Sequence, residues 1–493
     1  MIILYNPPSS PARKPVLPMS LLALGAVLEG HYEYRIIDAN LEDNPLATLL
    51  RAIDTDGAHI LAVTVMPGPQ LMHAVPLCRQ IKMLRPQVVI IWGGYFPGQH
   101  YESCVNAVYI DYIIRGHGEL IFKNLVDQLH LNKEHPKTSQ KPRMWQGAQP
   151  YINKVAAPAP IPHPDHLPDF PYHRVKMERY IRPTFMGTRT LPHHSSYGCP
   201  FFCNFCAVVN MVHGKWLAQS AQHVADVTER LVREWGVNAV DFYDNNFFTQ
   251  EARTVEFAER ITPLHIGWWG EGRIDTLHHY SEKSWRTMRE SGLRMVFLGA
   301  ESGSNETLQR MNKGGNASIE KTIDIVGQMK EHHIVPELSF VVGNPPDPEE
   351  DLNHTIAFIR RIKRLNPATE IILYMYTPVP LAGELYEEAK TQGFHFPQTL
   401  EEWIQPDWIE FSQRHSINMP WLNDVLRRQI SDFQRVLNAY YPTATDPTMS
   451  ALKKATLRAL SAWRYHLKLY SHPLELRALN RVLAYQRPET SGF

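Results

Sequence analysis

Residues 196–206 read SYGCPFFCNFC and hold three of the five cysteines of the chain, Cys199, Cys203 and Cys206. Successive gaps of three and two residues cannot keep all three side chains on one face of a regular helix or strand, so the thiolates must converge from a loop around one compact object. A cubane iron–sulfur cluster meets this requirement. With only three cysteines, its fourth iron lacks a protein ligand and is open to a small chelating substrate.

Two other interpretations of this loop remain open. One is a zinc site with His193, His194 or His213 as the fourth ligand, and the other is a chance cluster of structural thiols. Structural zinc sites usually pair two short knuckles a dozen or more residues apart, and the sequence has no second pair. Five cysteines in 493 residues also exclude a disulfide scaffold.

Around this loop the sequence alternates β-like and helical runs. In the first helical run Ser220 is a candidate N-cap and Gly236 a stop signal. Six βα units over about 185 residues are too few for a closed eight-fold barrel of about 250 residues, so we predict an open, partial (βα)6 barrel. The predicted strands are His193–Tyr197, Ala239–Tyr243, Ile266–Gly270, Met295–Gly299, Pro336–Val342 and Glu370–Tyr376.

The first part of the chain shows the same alternation, with an amphipathic helix predicted over Gln70–Leu84. Buried strands separated by helices predict a parallel, doubly wound, Rossmann-like sheet, which binds ligands beyond the carboxyl ends of its strands. The predicted strands are Ile2–Tyr5, Tyr34–Asp38, His59–Val65, Val88–Trp92 and Tyr112–Arg115.

Six prolines between Pro158 and Pro171 predict a stiff linker. The α/β chain is therefore divided into a doubly wound domain at 1–140, a Pro-rich linker at 141–185, the barrel at 186–385 and a helical C-terminal substrate or cap region at 386–493. From Trp421 onward eleven Lys and Arg against five Asp and Glu give a charge of +6. These basic, aromatic helices suit either an anionic membrane surface or a cap with a solvated basic face.

The overall charge excludes one class of partner. The 50 Lys and Arg balance the 50 Asp and Glu, which argues against nucleic acid as the main ligand. The apolar run Val16–Leu28 is broken by Pro18 and Gly25 and is shorter than the roughly 20 residues of a spanning helix. Met1 is followed at once by the strand-like Ile2–Tyr5 without a basic n-region, so we predict no targeting signal and a cytoplasmic protein.

The cysteine loop, with an aromatic residue just before its last cysteine, resembles that of the radical S-adenosylmethionine (SAM) enzymes. The resemblance implies a 4Fe–4S cluster held by Cys199, Cys203 and Cys206, whose unique iron is chelated by the amino and carboxylate groups of SAM. It further implies reductive cleavage of SAM to methionine and a 5′-deoxyadenosyl radical. Phe205 is the aromatic residue expected beside the cofactor.

The resemblance extends to the later strand ends. Asp244 and Asn245 stand where the family has a Gly-Gly-Glu-like element for the methionyl amine, and Arg273 is expected to pair bidentately with the methionyl carboxylate. Each of these residues alone could instead cap the following helix. The segments 342–346 and 377–380 look like the family's fifth and sixth strand ends. The element that is similar to Gly-x-Glu-Ser-Gly supplies further expected contacts to ribose or methionine: Glu301, Ser302 and Gly303.

The N-terminal domain resembles that of the cobalamin (B12)-binding radical SAM subfamily. No Asp-x-His-x-x-Gly motif occurs in it, so a histidine ligand to cobalt is not predicted, and His117 departs from the usual Gly-Glu-Gly-Glu. The alternative is a degenerate domain that only supports the barrel. The residues expected to contact cobalamin are Asn6, Asp38, Thr64, Gly93, Gly94, Gly116 and Glu119.

The implied reaction is methylation of an unactivated carbon of an apolar or amphipathic small molecule, with a flavodoxin or ferredoxin as reductant. The first alternative is cyclisation or rearrangement, as in the anaerobic porphyrin-ester cyclases, with an accessory B12-type domain. The second is a non-catalytic cobalamin-binding sensor whose iron–sulfur loop is structural.

Overall fold

The computed structural model of the chain describes residues 1–9, 15–134, 161–313, 317–380, 383–413, 419–446, 449–483 and 485. The strands within these residues are β1 Ile2–Asn6, β2 Tyr34–Asp38, β3 Ile60–Thr64, β4 Val89–Gly93, β5 Tyr112–Ile113, β6 Thr190–His193, β7 Ser196–Gly198, β8 Trp216–Ala218, β9 Ala239–Phe242, β10 Gly267–Gly272, β11 Leu293–Glu301, β12 Val335–Val342 and β13 Glu370–Met375.

The α-helices of the same residues are α1 Met19–Leu28, α2 Pro45–Asp54, α3 Pro69–Leu84, α4 Tyr95–Gln99, α5 Tyr101–Val105, α6 Glu119–Glu134, α7 Val208–Val212, α8 Ala221–Trp235, α9 Glu251–Ile261, α10 Ile274–Leu277, α11 Glu282–Glu290, α12 Asn305–Arg310, α13 Ile319–Glu331, α14 Pro348–Leu365, α15 Glu384–Thr391, α16 Leu400–Trp403, α17 Pro406–Ser412, α18 Asp424–Tyr440, α19 Ala451–Leu467 and α20 Leu474–Val482. None of these helices is long and apolar enough to cross a lipid bilayer.

The chain forms two compact units, each built from separate segments. The first unit comprises residues 1–180, 207–219 and 395–417, and the second comprises 181–206, 220–394 and 418–493. Of the predicted proline-rich linker, Pro158 and Pro160 lie outside the described residues, while Pro164–His166 forms a turn of 3-10 helix. The predicted boundaries near 140, 185 and 385 remain predictions.

A parallel five-stranded sheet forms the centre of the first unit, in the order β2-β1-β3-β4-β5. Every residue of β1 is buried, as expected for strands whose two faces are covered by helices. Leu21 of α1 and Phe122 of α6 pack with Leu4 and Ile91 in its core. The order is that of flavodoxin-like folds, in which the ligand site lies beyond the carboxyl ends of β1 and β3. The predicted doubly wound domain is confirmed.

A parallel six-stranded sheet forms the centre of the second unit, and its strands follow in chain order from β6 through β9, β10, β11 and β12 to β13. In the described residues β6 and β13 are the two edges of this sheet, which makes it an open array. The predicted partial (βα)6 architecture is therefore confirmed. In α8, Ser220 accepts a hydrogen bond from the His223 amide and Gly236 ends the helix at φ +61°.

The strand predicted over His193–Tyr197 is wrong. The chain instead forms β6, which ends at His193, and β7, which begins at Ser196 and lies outside the six-stranded sheet. The break falls at Ser195, whose amide and hydroxyl both donate to the Asp244 carboxylate at 3.1 Å and 2.7 Å. These bonds replace strand pairing at that position.

The predicted helical C-terminal region is confirmed. Helices α18 and α19 pack together, and α18 also packs on α14. The last strand is tied to this region through Glu370, which accepts hydrogen bonds from the Thr443 hydroxyl and the Ala444 amide, both at 2.8 Å. Asp432 of α18 accepts from the His472 amide at 2.8 Å and from Arg477 at 2.7 Å.

Candidate functional site

The cysteine loop begins at Gly198, the last residue of β7. This glycine has φ +87°, in the left-handed region where a side chain would be strained, so the chain turns sharply at the start of the loop. Cys203 is buried, whereas Cys199 and Cys206 are partly exposed, and none of the three forms a disulfide. The predicted ligands are therefore thiols on one short irregular segment.

The residues that follow α12 fasten this loop. The Asn204 amide donates to the Met311 carbonyl at 3.1 Å, and its side chain donates to the Arg310 carbonyl at 2.5 Å. In the opposite direction, the Asn312 side chain donates to the Phe202 carbonyl at 2.8 Å. The sequence reasoning missed both asparagines, because no local pattern connects positions more than a hundred residues apart.

Two nitrogen groups face cysteine sulfurs. Arg273 Nη1 donates to Cys203 Sγ at 3.2 Å, and Asn246 Nδ2 lies 4.0 Å from Cys199 Sγ. Burial raises the pKa of the Cys199 thiol, and the Arg273 charge acts in the opposite direction by favouring the thiolate. Hydrogen-bond donors on cysteine sulfurs are a common feature of anionic iron–sulfur sites.

The donor set fits a cluster. Within the described ranges, no three His, Cys, Asp or Glu side chains converge closely enough to hold a single metal ion. In a cubane, three cysteines bind three different irons and therefore lie further apart than the ligands of one ion. Three thiols on one loop, with nitrogen donors facing two of them, are consistent with that arrangement.

Arg273 departs from its predicted contact. Its Nε and Nη2 donate to the two carboxylate oxygens of Asp275 at 3.0 Å and 2.8 Å, and its guanidinium lies 3.7 Å from the centre of the Phe201 ring. The bidentate face that we expected to bind the methionyl carboxylate is therefore occupied by Asp275. In this arrangement Arg273 is a positioning residue for Cys203.

Asp244 and Asn245 are also placed differently from the prediction. Asp244 is buried and accepts hydrogen bonds from Ser195 and Ser196, so its carboxylate holds the connection between β6 and β7. Asn245 is exposed, and the next residue, Asn246, is the one that approaches Cys199. The polar contact to the cysteine loop thus lies one residue further along than the sequence indicated.

Glu301 forms a buried ion pair with Lys313, and both side chains are at most 8% exposed. Glu301 has φ +64°, and a Cβ at Gly299 would lie 2.1 Å from its Oε1 atom, so only glycine fits beside the pair. The Lys313 ammonium also lies 5.8 Å from the centre of the Phe205 ring. The structure therefore brings Glu301 and Phe205 together through Lys313, which the sequence reasoning did not single out.

Ser302 and Gly303 contact α14. Ser302 Oγ donates to Asp351 Oδ1 at 2.7 Å, and the Gly303 amide donates to Thr355 Oγ1 at 3.0 Å. Asn344 Nδ2 donates to the other oxygen of Asp351 at 2.9 Å. These bonds join the ends of β11 and β12 to the helix, so both predicted cofactor residues have a clear packing role.

In the first unit, the predicted residues Asn6 and Asp38 bind each other. Asn6 Nδ2 donates to Asp38 Oδ1 at 3.0 Å, and Asn6 Oδ1 accepts from Gln70 at 2.8 Å. Asp38 also accepts from the Asn40 side chain at 2.7 Å and from the Tyr180 hydroxyl at 3.0 Å. Burial raises the pKa of Asp38 despite these bonds. The network orders the carboxyl ends of β1 and β2.

The other predicted cobalamin residues follow the remaining strand ends. Thr64 and Gly93 end β3 and β4, and Gly94 has φ +98° with a Cβ position only 3.0 Å from Thr64 Oγ1. Gly116, at φ +76°, follows β5, and Glu119 begins α6. An edge of amides, a hydroxyl and glycines suits a ligand that carries many amide groups and needs close backbone approach, as cobalamin does.

Two family models match the chain, one in the region of the five-stranded sheet and one in the region of the six-stranded sheet. Residues 11–126 match the B12 binding domain, and residues 194–359 match the radical SAM superfamily. The chain therefore carries a match to the B12 binding domain followed by a match to the radical SAM superfamily, as the resemblance implies. The predicted family is confirmed, and so are the predicted cofactors: a 4Fe–4S cluster, SAM and cobalamin.

Among curated proteins, the uncharacterized methyltransferase PH0819 of Pyrococcus horikoshii is 28% identical over 386 residues, which cover 73% of this chain and 78% of the relative. The anaerobic magnesium-protoporphyrin IX monomethyl ester cyclase of Rubrivivax gelatinosus is 27% identical over 74% of this chain and 65% of its own length. Among solved structures, the radical SAM methyltransferase TsrM of Kitasatospora setae superposes with a TM-score of 0.59 at 16% identity, over 79% of this chain and 74% of TsrM.

Proposed function

We propose that the chain cleaves SAM at a cluster held by Cys199, Cys203 and Cys206 and methylates an unactivated carbon of an apolar or amphipathic small molecule. When bound, the cluster supplies the electron that cleaves SAM, and cobalamin supplies the methyl group. The observation that carries the proposal is the Arg273 guanidinium, which donates to Cys203 at 3.2 Å while Asp275 fixes its orientation. A buried, oriented hydrogen-bond donor beside a predicted ligand is a common feature of anionic iron–sulfur sites.

The chain's own residues would prepare this site in two ways. Asn204 and Asn312 hold the loop to the segment after α12, so the three cysteines would keep a fixed spacing. The Glu301–Lys313 pair is buried and lies beside Phe205, so it would limit the access of water to the loop. Among the predicted SAM contacts, we propose that Glu301 retains its role, whereas Ser302 and Gly303 act by positioning it.

Methylation is supported by the name of PH0819, and cyclisation by the names of several relatives that are anaerobic porphyrin-ester cyclases. Products of labelled SAM distinguish the two after anaerobic reconstitution and reduction. Methylation should yield S-adenosylhomocysteine together with 5′-deoxyadenosine, whereas cyclisation or rearrangement should yield deoxyadenosine without S-adenosylhomocysteine. Failure of the reduced, reconstituted protein to cleave SAM while it still binds cobalamin would favour the sensor alternative.

We propose two partners beyond the substrate. The first is a flavodoxin or ferredoxin that donates the electron, and it can be tested by replacing dithionite with each purified protein in the SAM cleavage assay. The second is an anionic membrane surface. Helix α19 contains no acidic residue and exposes Leu452, Leu460, Trp463 and Leu467 to between 46% and 78%, with Lys453 and Arg458 also exposed.

Sedimentation with vesicles tests the membrane proposal. Phosphatidylglycerol vesicles should retain the protein and phosphatidylcholine vesicles should not, because basic side chains beside apolar ones attract anionic headgroups. Trp463→Ser should weaken the retention. As a matched control, Val108→Ser removes a side chain that is 93% exposed in the first unit and should leave retention unchanged. Equal retention by both vesicle types would contradict the proposal.

A further inference from the structure

The interior face of the six-stranded sheet carries acidic side chains. Phe242 and Trp268 face outward, because both rings pack on Phe257 of α9 with centroids 5.2 Å and 5.5 Å away. Side chains alternate along a strand, so Asp241, Trp269 and Glu271 face the interior. In βα barrels this interior, at the carboxyl ends of the strands, is where substrates react.

Most of the interior polar groups have partners within the sheet. Arg182 Nη2 donates to Asp241 Oδ2 at 3.1 Å and to the Tyr243 hydroxyl at 2.8 Å. Trp269 Nε1 donates to Glu337 Oε2 at 3.0 Å. These bonds satisfy Asp241 and Glu337 without any ligand.

Glu271 is different. No hydrogen bond to its carboxyl group comes from any residue that the structure describes. The side chain is half-buried, so part of it remains accessible on the interior face of the sheet. Burial, followed by the charges of Asp244 and Glu337, raises its pKa to about 8. A half-buried carboxyl group without a protein partner, at the end of the sheet where substrates react, is available to a ligand that supplies the missing partner.

The charges around Glu271 select the kind of ligand. Arg182 is committed to Asp241, and Arg273 is committed to Asp275, so neither cation compensates Glu271. The aromatic rings of the same face lie close together, with centroids 5.6 Å apart for Tyr243–Trp269 and 6.4 Å apart for Trp269–Phe297. Acidic groups beside aromatic rings favour an organic cation. The titratable groups that interact electrostatically with Glu271 are Tyr243, Asp244 and Glu337.

We propose that Glu271 binds a protonated amine of the substrate and thereby selects an amphipathic substrate with a cationic nitrogen. This inference rests on the proposed function, since it places the substrate inside the same sheet. Glu271 acts here as a specificity-determining residue, and no covalent step or proton transfer is assigned to it. Because an ammonium group pairs with the carboxylate form, binding must strengthen as Glu271 ionises.

Binding of two small probes to the reconstituted enzyme without SAM tests this inference by isothermal titration calorimetry. Phenethylamine carries the ammonium group, and 2-phenylethanol is its neutral match. We expect the affinity for the amine to increase about tenfold from pH 7 to pH 9, as the ionised fraction of a group with a pKa near 8 rises from about a tenth to about nine tenths. The affinity for the alcohol should not increase.

Glu271→Gln keeps the shape of the side chain and should abolish both the preference for the amine and its pH dependence. Glu259→Gln, at an exposed carboxyl group on α9, makes the same change of charge away from the interior of the sheet and should bind like the wild type. Equal binding of the two probes by the wild type, no binding of the amine, or an unchanged preference in Glu271→Gln would each overturn the inference. The pH dependence of the wild type requires no variant and decides the question if Glu271→Gln folds poorly.

SAM cleavage measured on the same preparations separates the two proposals. Wild-type enzyme that cleaves SAM but does not prefer the amine refutes the role of Glu271 alone. Wild-type enzyme that prefers the amine but never cleaves SAM after reduction refutes the proposed function and leaves the amine site standing.

Discussion

The glycine at position 303 offers a quantitative test of how the strand ends are built. A Cβ at Gly303 would lie 2.6 Å from the His354 carbonyl oxygen and 2.7 Å from Thr355 Cα. Both atoms belong to the backbone of α14, so no flexible side chain can move aside. Gly303→Ala must therefore displace the helix from the end of β11 and weaken the amide bond to Thr355 Oγ1.

We expect Gly303→Ala to destabilise the second unit by about 1–3 kcal/mol, the usual cost of overpacking a close contact. In a unit of this size, each 1 kcal/mol lowers the unfolding temperature by roughly 2 °C, so the expected decrease is about 2–6 °C. Differential scanning calorimetry of wild type and variant measures it directly. The affinity for SAM should fall with it, because Glu301 would move.

A second glycine in the same unit provides the matched control. Gly327 lies inside α13, and a Cβ there would meet no atom within 4 Å. Gly327→Ala should therefore stabilise the unit by about 0.5–1 kcal/mol, because alanine is the better helix former. The two identical substitutions should shift the unfolding temperature in opposite directions. A Gly303→Ala protein as stable as the wild type would refute the contact between β11 and α14.

Three further perturbations test other parts of the molecule. Cys203→Ala should abolish the iron–sulfur absorbance and SAM cleavage. The control Cys104→Ala, at a buried cysteine of the first unit, should retain both. A full cluster in Cys203→Ala would contradict the ligand assignment. Asn312→Ala removes a hydrogen bond to the cysteine loop worth about 1 kcal/mol and should lower the iron content per chain after reconstitution, which colorimetric iron assay measures. The Arg174 hydrogen bond holds the pKa of Glu29 at about 2, so the pair stabilises the first unit above pH 4.5 and this contribution is lost as the pH falls towards 2. Glu29 is about a third exposed, so solvent weakens the pair. Glu29→Gln should therefore reduce the loss of unfolding free energy between pH 6 and pH 3 by only about 0.5–1 kcal/mol, as measured by urea unfolding.

Hydrophobic periodicity was sufficient to predict most of the architecture. Strand β2 has the predicted bounds, and α3 begins one residue before the predicted Gln70. Parallel strands covered on both faces are continuous apolar runs, so each carries a strong local signal. The exception, His193–Tyr197, reads HHSSY and lacks such an apolar run. It is interrupted by Asp244, which lies some fifty residues away in the chain.

The sequence predicted where the candidate site lies, but it predicted fewer of the contacts that its side chains make. The spacing of the cysteines and the carboxyl ends of the strands are local properties, and the sequence contains both. The partners of the site residues are harder to predict. Arg273 binds Asp275, two residues away, rather than the carboxylate of a ligand, and its contact with Cys203 spans 70 residues. Glu301 is paired with Lys313. Glu271 could have been noticed, since alternation from the outward Trp268 places it inside the sheet, but its lack of a partner required the structure.

The fastening of the cysteine loop has a consequence for biogenesis. Asn312 donates to the Phe202 carbonyl of the loop, and the Lys313 carbonyl accepts from Arg273, which in turn donates to Cys203. Asn312 and Lys313 follow the last cysteine by more than a hundred residues. A nascent chain that has only just produced Cys206 therefore lacks the groups that shape the loop. We expect the iron–sulfur machinery to find a receptive loop only after β10 and β11 have been synthesised and have paired, so that cluster insertion is late and follows folding of the sheet.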